Sequence, residues 1–310
     1  MSLVQPGVAR PTDSSPETLH LSRREKLFAY IALTKPRIIE LLLITTVPAM
    51  VIADRGWPPL TLMLWTLVGG TMAAGGANAI NCYIDRDIDE IMPRTRRRPL
   101  PAHKVEPWNA LVFGVSLGVL SFLILWGAVN LLAALLALAG LLFYVFVYTL
   151  ALKRWTPQNI VIGGAAGAVP ALVGWAAVTN TIELPALVMF AIIFYWTPPH
   201  FWALSVRYEK DYAAAGVPMM PVVYGRAETT KHILLYSLLL LAMCLAFFSV
   251  GRMGMLYLGA ALALNGVFVY WAVRLYRRPE PRIAWSLFRY SIYYLGLLFT
   301  AAAADRLLLG

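Results

Sequence analysis

The chain has 310 residues, of which 60% are hydrophobic and only 14% charged, and its mean hydropathy of +0.67 does not fit a water-exposed surface and points to lipid. A net charge of +10 would suit a nucleic-acid partner in a soluble protein, but the placement of that charge gives it another meaning. Cys82 and Cys244 are the two cysteines and neither lies in CxxC or CxxCH, so a disulfide framework, a cysteine zinc site and c-type haem attachment are unsupported.

Residues 1–25, rich in Pro, Ser and Thr and without an apolar run, read as a disordered cytosolic tail and not as a signal peptide. Residues 26–310 read as a single transmembrane domain. A bilayer core of about 30 Å needs roughly 20 apolar helical residues, and nine largely uncharged windows come close to this: about 38–54, 60–80, 108–127, 130–150, 159–179, 184–204, 233–251, 254–273 and 287–304. Of the 26 basic residues, 23 fall in the tail and in alternate loops, against Arg55, Arg252 and Arg306 on the other side. The positive-inside rule then puts the N-terminus in the cytosol and the C-terminus outside. The charge is therefore mostly topological, and nucleic acid is not expected as a partner.

Gly69, Gly70, Gly75 and Gly76 thin the second window, and Gly163 and Gly167 form a GxxxG in the fifth. Small residues let helices approach closely in lipid, or leave room beside a helix for a lipid-like chain.

The second window runs into Asn78-Ala-Ile-Asn81-Cys-Tyr-Ile-Asp85-Arg-Asp87-Ile-Asp89, followed by Arg94-Thr95-Arg96-Arg97-Arg98-Pro99. On a continuing helix Asn81, Asp85 and Asp89 share a face with Asn78 beside them, while Asp87 points away. Two carboxylates and an amide oxygen form a hard donor set suited to Mg²⁺ that shares its coordination with substrate phosphates. The plainer alternative is a solvated acidic helix end neutralised by the arginines that follow.

The sixth window ends in Trp196-Thr-Pro-Pro-His200-Phe-Trp202, followed after a few residues by Arg207-Tyr208-Glu209-Lys210-Asp211-Tyr212. Helical spacing puts His200, Leu204, Tyr208 and Asp211 on one stripe at the same membrane surface as Asp85. Four windows separate the two polar motifs, which suggests a duplicated four-helix unit, about 38–150 and 159–273, with a ninth helix added and a cavity shared between the halves. A surface ion pair for Asp211 and an interfacial hydrogen bond for His200 remain open as simpler roles.

These segments, together with Leu33-Thr-Lys35-Pro-Arg37, Tyr148-Thr-Leu-Ala-Leu-Lys153-Arg154 and Ala215-Gly216-Val-Pro218, resemble the UbiA superfamily of intramembrane prenyltransferases, in order from about residue 33 to 225. The resemblance implies an all-α, polytopic bundle of two four-helix halves plus a ninth helix, in a bacterial inner membrane. Within the superfamily it is closest to members that transfer a farnesyl group from farnesyl diphosphate to a vinyl carbon of protohaem IX. It implies Mg²⁺ on Asn81, Asp85, Asp89 and Asp211, with Asp85, Asp89 and Asp211 catalytic. Asn78, Asn81, Lys35, Arg37, Arg94, Arg98, Lys153, Arg154, His200 and Tyr208 become candidates for substrate binding. Of the second acidic motif only Asp211 clearly remains, so one or two magnesium ions stay open. Tyr148, Trp202 and Tyr208 are candidate aromatic faces toward an allylic cation. Haem A synthase or oxidase assembly factors are conceivable partners. A prenyltransferase of aromatic quinone precursors, a transporter and a haem-binding assembly protein are the alternatives; the acids gathered at one surface argue against transport.

Overall fold

Among residues 21–309, which the computed structural model describes, helix is the dominant element and no strand occurs. Lipid offers the backbone no hydrogen bonds, so each crossing segment must satisfy its amides internally, and apolar windows of this length do so as helices. The order is α1 (Arg23–Thr34), α2 (Pro36–Asp54), α3 (Leu60–Ile84), α4 (Arg86–Ile91), α5 (Pro107–Ala128) and α6 (Leu131–Leu142). A π-helical segment (Phe143–Leu152) and α7 (Lys153–Trp155) continue α6 without a break. Then come α8 (Asn159–Thr179), α9 (Leu184–Arg207), α10 (Glu209–Ala214), α11 (Met220–Val250), α12 (Met255–Arg277) and α13 (Pro281–Leu309).

Among the described residues eight helices are long and apolar enough to cross a membrane: α3, α5, the run Leu131–Trp155, α8, α9, α11, α12 and α13. The first expected window falls on α2, a 19-residue helix from Pro36 to Asp54 within which the stretch Leu43–Asp54 is apolar. The expected nine thus resolve into eight full-length helices and this shorter one. Large apolar side chains such as Trp65, Leu123, Trp126 and Leu150 are exposed on the outside, as a lipid-facing surface requires.

α3 packs on α5, α8 lies between α2 and α9, and α13 closes the bundle against α2, α9 and α12. The approach of α3 and α5 depends on missing side chains, because a Cβ on Gly76 would stand 2.6 Å from the Gly114 carbonyl oxygen. Gly75 and Gly76 therefore serve helix packing. Gly70 and Gly167 have nothing within 4 Å of where a Cβ would stand, and both line a cavity.

Several boundaries differ from the sequence expectation. The expected tail lies outside the described residues up to 20, but helix begins at Arg23, inside its last positions. Ser22 and Glu25 form a capping box there: Ser22 Oγ accepts from Glu25 N (3.3 Å), and the Glu25 carboxylate accepts from Ser22 N (2.9 Å). α11 starts at Met220, well before residue 233, because its first turns are polar and invisible to hydropathy; Gly225, at φ 75°, breaks the helix within that stretch. Both polar helical stripes are interrupted as well. α3 stops at Ile84 and α4 restarts at Arg86, with Asp85 between them at φ −87°, ψ 4°. α9 stops at Arg207 and α10 restarts at Glu209, with Tyr208 at φ −112°, ψ 26°.

Candidate active site

Asp85 is fully buried where α3 ends. Its Oδ2 accepts from Asn81 Nδ2 at 2.7 Å and from Lys153 Nζ. Its Oδ1 has no hydrogen-bond partner and lies 4.0 Å from Arg154 Nη2. The turn at Asp85 sends Asp87 outward, where Arg154 grips it through two 2.7 Å bonds and holds its carboxyl below the usual range. Asp89, also buried, takes both carboxylate bonds from Arg98 Nη1, at 2.8 and 2.7 Å. Burial would lower the Arg98 pKa, but the facing Asp89 carboxylate outweighs it and the net shift is upward.

The positive groups reach this corner from three segments: the α1–α2 link, the loop after α4, and α7. Lys35 links α1 to α2 in the left-handed region, at φ 54°, ψ 64°, a backbone state that costs a non-glycine residue about 1–2 kcal/mol. There its Nζ donates to Asn81 Oδ1 at 2.6 Å. Burial pushes the Lys35 ammonium down to about 8, and the charges of Arg98 and Lys153 push the same way. Lys153 arrives through the π-helical segment, in which Thr149 Oγ1 donates to the Tyr144 carbonyl (2.8 Å) and accepts from Asn81 Nδ2 (3.1 Å). Asn78 donates to the Thr34 carbonyl at 3.0 Å, tying α3 to the end of α1. Arg94, on the loop after α4, donates to the Tyr212 hydroxyl at 3.5 Å and lies 5.6 Å over the Tyr208 ring, joining that loop to α10 and the turn before it.

A cavity of about 500 Å³ opens beneath this corner. Lys35, Arg37, Asn78, Asn81, Asp89, Arg94, Arg98, Lys153 and His200 line it; Asp85 and Arg154 stand behind this first layer. Along α3 the lining runs from Asn81 to Thr66, roughly 22 Å at 1.5 Å per residue. This arm, floored by Gly70, Ala73 and Ala77 and faced by Gly140 and Gly167, is narrow and apolar. Toward α9 and α13 the walls turn aromatic, with Trp196, His200, Phe201 and Phe288.

The expected stripe through His200, Leu204, Tyr208 and Asp211 holds only in part. His200 and Leu204 line the cavity, but the turn at Tyr208 carries Tyr208 and Asp211 off the α9 face and out of its wall. Among the described residues no three His, Cys, Asp or Glu side chains gather into one group, and Asp89 borders the cavity where Asp211 does not. Trp202 is fully buried against Tyr236 and does not face the cavity. Thr149, Thr95, Tyr144 and Tyr212 were not singled out by sequence reasoning. Thr95 Oγ1 donates to the Asp89 carbonyl at 2.9 Å, and Tyr144 lies against Tyr148 in the cavity wall, ring centroids 5.3 Å apart and tilted by 32°. Their adjacency to the quoted motifs was the available signal.

A hard-oxygen metal suits what is present. Asn81 and Asp89 border the cavity, Asp85 keeps one buried oxygen without a hydrogen bond, and both carboxylates are neutralised by long cationic side chains that also line the cavity.

This is a membrane-embedded bundle built to hold an anionic head group at one membrane surface above an apolar, partly aromatic cavity. The chain belongs to the UbiA prenyltransferase family, whose profile matches residues 42–298. It is 49% identical over 308 residues to the Protoheme IX farnesyltransferase of Roseiflexus sp. (strain RS-1), covering 99% of this chain and 57% of that protein. To the Protoheme IX farnesyltransferase of Clavibacter sepedonicus it is 54% identical over 295 residues, covering 94% and 96%. The chain thus spans little more than half the length of the Roseiflexus relatives and nearly all of the Clavibacter one. Among solved structures it is similar to a digeranylgeranylglyceryl phosphate synthase, with TM-score 0.77 at 19% identity over 92% of this chain and 100% of that one. It is also similar to a UbiA homolog from Archaeoglobus fulgidus bound to DMAPP and Mg²⁺, with TM-score 0.61 at 15% identity over 88% and 98%. Identities this low speak for the fold alone.

Proposed function

We propose that the chain transfers the farnesyl group of farnesyl diphosphate to a vinyl carbon of protohaem IX, with release of diphosphate. The observation that carries this reading is that one cavity joins the charged corner both to an apolar arm along α3 and to an aromatic wall at His200. The relatives' names support the same pair of substrates.

Breaking the allylic C–O bond sends its electrons to diphosphate and leaves a farnesyl cation, so negative charge must be stabilised on one side and the cation shielded on the other. Arg98 and Lys153, now on Asp89 and Asp85, swing to the phosphate oxygens; Lys35, Arg37 and Arg94 border the same space, Arg154 adds positive charge from behind, and arginine is suited to paired phosphate contacts. Magnesium held by Asn81, Asp85 and Asp89 would supply Lewis-acid neutralisation of the departing diphosphate. Tyr144 and Tyr148 face the cation with their rings from the wall beneath the corner, and the apolar arm keeps water from it. The vinyl carbon then attacks, and water takes the resulting porphyrin-side cation, losing a proton to leave a hydroxyl. The charge placement supports a cytosolic corner, with the N-terminus on the same side and the C-terminus outside, in an inner membrane.

Mass analysis of haem extracted after incubation with protohaem, farnesyl diphosphate and Mg²⁺ tests the reading. A gain of farnesyl plus water, absent without metal and in Asp85→Asn, is expected. Absence of a haem product, with diphosphate still released when a phenolic acceptor is offered, would move the acceptor to aromatic quinone precursors.

A further inference from the structure

Trp196 and His200, one turn apart on α9, both reach Ser291 of α13. The Trp196 indole donates to the Ser291 carbonyl at 2.9 Å, and His200 Nδ1 lies 2.6 Å from Ser291 Oγ. The same Oγ is 2.6 Å from the Phe288 carbonyl oxygen. A serine hydroxyl carries one hydrogen, and a carbonyl only accepts. Ser291 therefore donates to Phe288, and its contact with His200 runs the other way, from Nδ1–H to Oγ. In a neutral imidazole protonated at Nδ1, Nε2 keeps its lone pair.

His200 is only 7% exposed and lines the cavity. Among the described residues no protein group hydrogen-bonds to Nε2. The ring cannot readily turn away: it stacks on Trp196 at 4.3 Å and 22°, lies against Phe288 at 4.6 Å, and meets the Phe201 ring edge-on at 5.0 Å. A buried imidazole that gives one N–H to a fixed oxygen, keeps its other nitrogen free of any hydrogen bond among the described residues, and lines a cavity has the arrangement of a metal-binding histidine. The surroundings select the metal's form. Flat aromatic walls and a nitrogen donor suit a planar iron porphyrin, whereas the carboxylate corner offers the oxygens that magnesium prefers.

Resting on the haem reading above, we propose that His200 Nε2 binds the iron of the porphyrin acceptor axially. Ser291 is the positioning residue that holds the imidazole in its ligating tautomer. The nitrogen lone pair forms the bond to iron; no bond breaks and no electron is transferred, so the step seats the acceptor and leaves the chemistry to the charged corner.

The test uses the purified full chain in detergent, titrated separately with protohaem and with metal-free protoporphyrin IX, and read by the absorption spectrum of bound haem and by tryptophan quenching. The parent is expected to prefer protohaem and to show the bands of a nitrogen-ligated iron. His200→Ala should lose both the bands and the preference, with added imidazole restoring the bands, while metal-free porphyrin binds as before. Ser291→Ala should lower protohaem affinity about tenfold without changing that for the metal-free porphyrin, and Ser291→Thr should recover it. A merely structural role for Ser291 would weaken both porphyrins equally and would overturn its assignment. Unchanged bands in His200→Ala, with farnesyl diphosphate binding retained as proof of folding, would overturn the axial ligand while leaving the haem reading standing. A parent that binds neither porphyrin, yet releases diphosphate with a phenolic acceptor, would sink that reading and this proposal with it.

Discussion

Lys153 and Asp85 are 68 positions apart in sequence and meet as an ion pair in which the carboxylate is wholly buried and the lysine 17% exposed. A buried carboxylate stripped of its partner is far more costly than the pair is favourable. Lys153→Ala is therefore expected to destabilise the folded chain by about 3–5 kcal/mol. Adding Asp85→Asn should recover most of that loss, since a neutral amide needs no counter-charge, while diphosphate release stays abolished. Thermal unfolding of the two single variants and the double variant in detergent gives the coupling directly; simple additivity would show that the pair carries no special energy.

Gly163 and Gly167 look equivalent in sequence and are not so in space. A Cβ on Gly163 would stand 2.2 Å from Tyr148 Cδ2 and 2.9 Å from its Cγ, whereas one on Gly167 meets nothing within 4 Å. Gly163→Ala should therefore push the Tyr148 ring from its place in the cavity wall, at an overpacking cost of about 1–3 kcal/mol and with a drop in kcat. Gly167→Ala should change stability by less than about 0.5 kcal/mol. Gly167→Leu fills the narrow arm instead, and KM for farnesyl diphosphate should then rise more than KM for geranyl diphosphate. Equal effects on the two prenyl lengths would mean that the chain does not occupy this arm.

The contrast between those two glycines shows where sequence reasoning reaches and where it stops. Hydropathy located the spans because lipid forces every crossing segment to be helical, and the polar motifs were visible because charges are scarce in such a chain. Lys35, Asn81, Asp89, Arg98 and Lys153 indeed come together at one cavity. The breaks at Asp85 and Tyr208 were not legible, because no glycine or proline marks them. Asp85 keeps the backbone bonds to Asn81 and Asp89 at 2.9 Å each, and its side chain is held locally by Asn81 and across the bundle by Lys153, while Asp211 lies outside the cavity lining. The π-helical segment escaped notice for the same reason: its registry serves contacts from Asn81 and Gly163 on other helices.

Arg98 holds both oxygens of Asp89 through one nitrogen and borders the cavity, so it is placed to exchange a carboxylate for a phosphate. A charge-assisted hydrogen bond is worth about 1.5–3 kcal/mol, which corresponds to roughly 10- to 100-fold in affinity. Arg98→Gln is expected to weaken inorganic diphosphate binding within that range and to leave protohaem binding unchanged. Calorimetric titration with each ligand separates the two. A parallel loss of both would place Arg98 in the architecture of the loop and not at the phosphate.

Asp305 is as buried as the site carboxylates, at 2% exposure, yet it stands at the other end of the bundle and serves the fold. Its Oδ2 accepts from Gly254 N at 2.6 Å and its Oδ1 from Tyr257 N at 3.0 Å, so α13 caps the start of α12 from 51 positions away. The first amides of a helix lack internal partners, and the helix dipole favours a negative charge beside them. Asp305→Ala is expected to cost about 1–2 kcal/mol of stability, in the range of a lost helix cap, while kcat per folded molecule stays at the parent value. Asp85→Asn should show the opposite pattern, keeping its melting temperature and losing turnover. Measuring both quantities on both variants sorts buried carboxylates that hold the fold from those that handle the substrate; loss of turnover without loss of stability in Asp305→Ala would contradict the assignment made from these bonds.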